Sequence, residues 1–121
     1  MPAETPRAIR GRRNHAAGLA AEAAAARIYE RAGGRILARR WRCAEGEIDL
    51  VVALDGVLVF VEVKSGRFAA EAIGSRQWAR LEAAALRYSI MHETGSTPLR
   101  FDAALVAADG AVEVVENARG I

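Results

Sequence analysis

Asp49, Glu62 and Lys64 are the residues whose types and spacing could do chemistry. They sit in GEIDLVVALDGVLVFVEVKSG, residues 46 to 66. Asp55-Gly56 between two β-branched apolar runs is a strong hairpin signal. A two-residue turn there faces Leu54 with Val57, and the same register sets Asp49 opposite Glu62 and Glu47 opposite Lys64. Opposed residues hold their Cβ atoms about 5 Å apart, and like charges at that distance repel. A divalent cation between Asp49 and Glu62 removes the repulsion. Mg2+ prefers one or two carboxylates together with waters and substrate phosphates. The plainer alternative is a solvated sheet face, with Glu47 and Lys64 as a cross-strand ion pair worth a few tenths of a kcal/mol. A longer loop would also slide the register and change every partner. Against that alternative, Glu62 lies inside VFVEV, where four of five residues are strongly apolar.

Lys64 is the one lysine of the chain; the other sixteen basic residues are arginine. A lysine ammonium is a compact charge with an adjustable pKa, whereas a guanidinium is a broad fork that stays protonated. Position 64 would therefore need a small, tunable charge. The alternative is that codon bias left one lysine at this place by chance.

The elements that must carry these residues follow from periodicity. HAAGLAAEAAAARIYERAGG reads as a helix capped by Asn14 and closed by Gly33-Gly34, with Leu19, Ala23, Ala26 and Tyr29 or Glu30 near its buried stripe. RILARRWRC reads as a strand, followed by the two hairpin strands. SRQWARLEAAALRYSIMHETG is a second helix, capped by Ser75, with Trp78, Leu81, Ala85 and Tyr88 on one face. LRFDAALVA and AVEVVE, joined at Asp109-Gly110, close the order αβββαββ.

The chain has 121 residues, 52% apolar and 26% charged, enough for one core. Residues 1–14 are expected to form a disordered basic arm, 15–117 one domain, and 118–121 a short tail. No apolar run approaches the roughly 18 residues of a membrane span, and the basic N-terminus lacks a signal-type apolar stretch, so no membrane partner and no export are expected. A lone Cys43 fits a reducing cytoplasmic setting and is expected to be buried and inert. The net charge of +2 conceals a split: residues 1–42 carry ten arginines against three glutamates, while the remainder is net acidic. Arg7, Arg10, Arg12 and Arg13 of the arm are therefore candidate contacts to an anionic partner such as nucleic acid. Scattered solvated charge is the plainer alternative.

Asp49, twelve residues, then Glu62-Val63-Lys64 resembles the D…(D/E)xK signature of restriction-endonuclease-like nucleases. GLAAEAAAARIYERAGGRILARRWRCAEGEIDLVV, LVFVEVKSG and RFDAALV together resemble the YraN family, also called the UPF0102 proteins, over about residues 15 to 107. The resemblance implies an α/β fold with three α/β/α layers around a mixed sheet, similar to that of archaeal Holliday-junction resolvases. It implies a metal-dependent nuclease, an Mg2+- or Mn2+-dependent phosphodiesterase acting on DNA more than RNA, branched or damaged DNA included. A homodimer is compatible with it. It assigns Asp49, Glu62 and the Val63 backbone carbonyl as metal ligands and Lys64 as the catalytic lysine. Glu22 stands where the resolvases place a further acidic residue, and Gln77 stands where related nucleases use a lysine or glutamine. Asp102 of RFD is expected to support the fold by pairing with an arginine. The competing expectation is a nucleic-acid-binding protein of the same fold with little or no hydrolytic activity.

Overall fold

The computed structural model describes residues 6–66 and 73–118, with side chains described from Ala16 onward. The elements are α1 Pro6–Arg31, β1 Arg35–Cys43, β2 Gly46–Leu54, β3 Val57–Ser65, α2 Ser75–Met91, β4 Leu99–Val106 and β5 Val112–Val115. The expected αβββαββ order is the observed one. The strands form one sheet in the order β1-β2-β3-β4-β5. Among the described residues only β3 and β4 pair in parallel, because α2 carries the chain back between them; the other neighbours are antiparallel. This mixed five-stranded sheet with two helices is consistent with a restriction-endonuclease-like fold. No helix among the described residues is long and apolar enough to cross a membrane.

The hairpin turns where the sequence places it. Asp55 and Gly56 both have positive φ, 51° and 76°, as a tight turn matched to the twist of its strands requires. Pairing then runs from Leu54↔Val57 to Leu50↔Val61. β3 is buried on both faces, which explains its unbroken apolar run. Leu58 and Phe60 pack with Trp78, Leu81, Ala85 and Tyr88 of α2. Val59 and Val61 pack on the other face with Ala25, Ala26 and Tyr29 of α1. Strand alternation carries Glu62 and Lys64 onto the α2 face, with Leu58 and Phe60.

Four expectations are corrected. Helix α1 begins at Pro6, so Asn14 lies inside it rather than at its cap, and the stretch from residue 6 to 14 is helical. Proline suits the first helical turn because its missing N–H would have had no partner there. The buried face of α1 is Ala21, Ala25, Ala26 and Tyr29, while Leu19 is 43% exposed. A buried bond sets that rotation: the Tyr29 hydroxyl donates to Asp102 Oδ2 at 2.8 Å. Helix α2 is preceded by Gly74 with no side-chain cap, and Ser75 is its first residue. Cys43 is half-buried.

Asp102 ties α1, β4 and the turn after β5 together, and its expected arginine pairing is the observed one. It is fully buried and accepts from Arg100 Nε at 2.9 Å, Arg100 Nη2 at 3.0 Å, the Asn117 N–H at 2.9 Å and Tyr29. A buried carboxylate is tolerable only when its oxygens are satisfied this fully.

Candidate metal centre

Between Leu50 and Gly46 the strands stop behaving as regular ribbons. Leu50 packs on the α1 side, yet Ile48, two residues away, packs on the α2 side, so alternation breaks at Asp49. Strand β1 keeps its register here, shifting it only between Ile36 and Ala38, but its backbone is distorted at the same level. Arg40 lies between the pairs Arg39↔Leu50 and Trp41↔Ile48, and its φ is 51°. That left-handed conformation is costly for a residue with a Cβ. Both strands are re-aimed where the hairpin ladder ends. The Asp49 carboxylate takes over from the ladder: the Val63 N–H donates to Asp49 Oδ2 at 2.8 Å. The N–H and C=O of one strand residue point to the same side, so the Val63 carbonyl is aimed toward β2 as well.

Four carboxylates converge here. Glu22 comes from α1, Glu47 and Asp49 from β2, and one oxygen from each of these three lies within 4.8 Å of the others. Glu62 enters from β3. Its Oε1 accepts from Gln77 Nε2 at 2.6 Å and lies 3.5 Å from Lys64 Nζ. The expected Glu47–Lys64 pair is corrected. Glu47 instead accepts from Arg42 Nε at 2.8 Å and Arg40 Nε at 3.4 Å, while Lys64 turns to Glu62. The kink at Arg40 accounts for this, since it swings the guanidinium to between Glu47 and Glu22, the latter at 3.8 Å.

The site is electrostatically loaded. Burial, then the Asp49 charge, push the Glu62 carboxyl up to about 7 against the opposing Lys64 and Gln77. Burial raises Asp49 too, although the Val63 N–H works against it. Glu22 is raised by burial and then by Asp49. Clustered hard oxygens that resist carrying their charges unaided are a donor set suited to Mg2+ or Mn2+. The donor chemistry therefore fits the ion, with Asp49 common to any arrangement of ligands.

A groove of about 600 Å³ opens over these residues, with Glu47, Asp49 and Glu62 on one wall and Arg76, Gln77 and Arg80 of α2 on the other. The fold thus brings together Asp49, Glu62, Lys64, Gln77 and Glu22, all candidates from the sequence. The side chains of Arg7, Arg10, Arg12 and Arg13 lie outside the described residues. Sequence reasoning missed Glu47 as the fourth converging carboxylate, having set it opposite Lys64. It also missed Arg40, whose left-handed backbone leaves no mark in the sequence.

Residues 21–106 match the model of the uncharacterised protein family UPF0102. A UPF0102 protein of Ruegeria pomeroyi is 50% identical over 117 residues, covering 93% of this chain and 95% of that protein. One from Azorhizobium caulinodans is 46% identical over 121 residues, covering 97% and 92%. Another, from Cereibacter sphaeroides, is 44% identical over 112 residues, covering 89% and 96%. The chain belongs to the UPF0102 family.

Proposed function

We propose that this chain is a metal-dependent nuclease that hydrolyses phosphodiester bonds in DNA in the cytoplasm, with branched or damaged DNA as the substrate class. The observation that carries this reading is the meeting of Glu22, Glu47 and Asp49 within 4.8 Å, where Glu47 and Asp49 line an open groove together with Glu62, the partner of Lys64. Asp49 and Glu62, with the Val63 carbonyl, would hold Mg2+ or Mn2+, and Glu22 and Glu47 would complete the anionic side. When bound, the ion supplies phosphate polarisation and a nucleophile available at neutral pH.

The chain's own residues do the remaining work. The Val63 N–H fixes the Asp49 carboxylate through one oxygen and leaves the other for the ligand. Gln77 holds Glu62 Oε1 and so orients its carboxylate toward the groove. Lys64, at 28% side-chain exposure, holds its ammonium 3.5 Å from Glu62 Oε1. Its ammonium would neutralise charge on the attacked phosphate and could pass a proton to the leaving oxygen, to be regained from the attacking water.

A specific observation favours the second reading, a DNA-binding protein with little hydrolytic activity: Arg40 already partly neutralises Glu22 and Glu47. Labelled linear, nicked, single-stranded and four-way DNA, each with Mg2+, Mn2+ or EDTA, separates the two. Cleavage dependent on either ion supports the nuclease. Binding without cleavage of any substrate supports the second reading.

A further inference from the structure

We infer that Arg76 and Arg80 form the phosphate-holding wall of the groove, binding neighbouring phosphates of one DNA strand opposite the carboxylates. The inference rests on the nuclease reading and adds the residues that would seat its substrate. Arg76 and Arg80 are one turn apart on α2, about 6 Å along the axis, and therefore share a face. Both are exposed, and both line the groove with Glu47, Asp49 and Glu62. Arg40, Arg42, Arg87 and Arg100 are held by carboxylates. Arg76 and Arg80 make no ion pair among the described residues, although they face three carboxylates across the groove.

The position of α2 keeps the two walls apart and aligned. A Cβ added at Gly46, where β2 begins, would stand 4.0 Å from Arg80 Cβ. The stem of Arg80 therefore starts beside β2 and its head reaches outward. One wall offers oxygens to a cation and the other offers guanidinium forks to an anion. A phosphodiester accompanied by a divalent cation satisfies both, and guanidinium geometry matches phosphate oxygens two at a time.

The test is the salt dependence of DNA affinity between 50 and 200 mM salt, measured in EDTA so that cleavage does not intervene. Each lost phosphate contact lowers the log–log slope by about 0.9, so Arg76→Ala with Arg80→Ala should reduce it by about 1.8 and weaken binding by about tenfold or more. Arg76→Lys with Arg80→Lys should recover the slope. The rise in melting temperature with Mg2+ should match wild type in both variants, because neither residue is among the carboxylates. An unchanged slope in the alanine pair, with wild type binding DNA, overturns the inference and leaves the nuclease reading standing. Failure of wild type itself to bind any DNA overturns both.

Discussion

The backbone N–H of Val63 donates to the carboxylate of Asp49 at 2.8 Å, across the level at which the β2–β3 ladder has ended. One side chain thus serves as both sheet pairing and site residue. Asp49→Ala leaves a partly buried N–H without its acceptor and should cost about 1–3 kcal/mol in metal-free urea melts. Asp49→Asn keeps an oxygen there and should cost clearly less. Equal losses in the two variants would mean that the bond contributes little.

Metal should stabilise wild type through selective binding to the folded state. Melting temperature should therefore rise with Mg2+ or Mn2+ and return on adding EDTA. The double variant Asp49→Asn, Glu62→Gln should lose most of this rise, and Glu47→Gln should lose part of it. A rise of the same size in all three proteins would remove these carboxylates from the metal centre.

Glu62 makes stability depend on pH without metal. Its carboxyl ionises near 4.5 when unfolded and at about 7 when folded. Between those values the unfolded chain binds fewer protons than the folded one, so stability falls as pH rises. The contribution is full below the lower value and lost above the upper, and amounts to at most about 3 kcal/mol. Glu62→Gln should flatten this fall in urea titrations run in EDTA at pH 5 and pH 8. Asp49 and Glu22, shifted in the same direction, leave a residual slope. Identical pH profiles for wild type and Glu62→Gln would contradict this assignment.

Much of the frame was legible because it depends on local rules. The Asp55-Gly56 turn fixed the hairpin register, and period 2 put Glu62 and Lys64 on one face. The spacing of Trp78, Leu81, Ala85 and Tyr88 marked the buried side of α2. What stayed hidden depends on tertiary bonds. Glu47 pairs with Arg42 and Arg40 because two neighbouring strands bend together, and regular alternation cannot foretell where strands part. The rotation of α1 follows Tyr29 to Asp102, a contact 73 residues apart in sequence. Hydropathy alone turned Leu19 inward instead.

That buried contact has its own test. Tyr29→Phe removes one of four donors to Asp102 and should cost about 1–2 kcal/mol, with metal response retained. Asp102→Ala takes away the acceptor shared by Tyr29, Arg100 and the Asn117 N–H, leaves Arg100 with Glu116 alone among the described residues, and should cost about 3–5 kcal/mol. Chemical denaturation of both variants measures this; a smaller loss for Asp102→Ala than for Tyr29→Phe would refute the anchor.

Lys64 pairs with Glu62 at 3.5 Å, and its chemistry should not transfer to arginine. Lys64→Arg should keep the fold and DNA binding yet lose about 10²–10⁴ in cleavage rate, because a guanidinium is wider and does not release its proton. Lys64→Met should lose at least as much. Near-wild-type cleavage by Lys64→Arg would show that any positive charge serves at position 64.

The central claim is that Asp49 and its neighbouring carboxylates drive hydrolysis through a bound divalent ion. Single-turnover cleavage of the best substrate by wild type and Asp49→Asn, with and without Mg2+, tests it most directly. Binding isotherms on the same preparations separate chemistry from affinity. Wild type should cleave only with the ion, and Asp49→Asn should bind the DNA without cutting it. Cleavage that persists in EDTA, or an Asp49→Asn variant as fast as wild type, would contradict the claim.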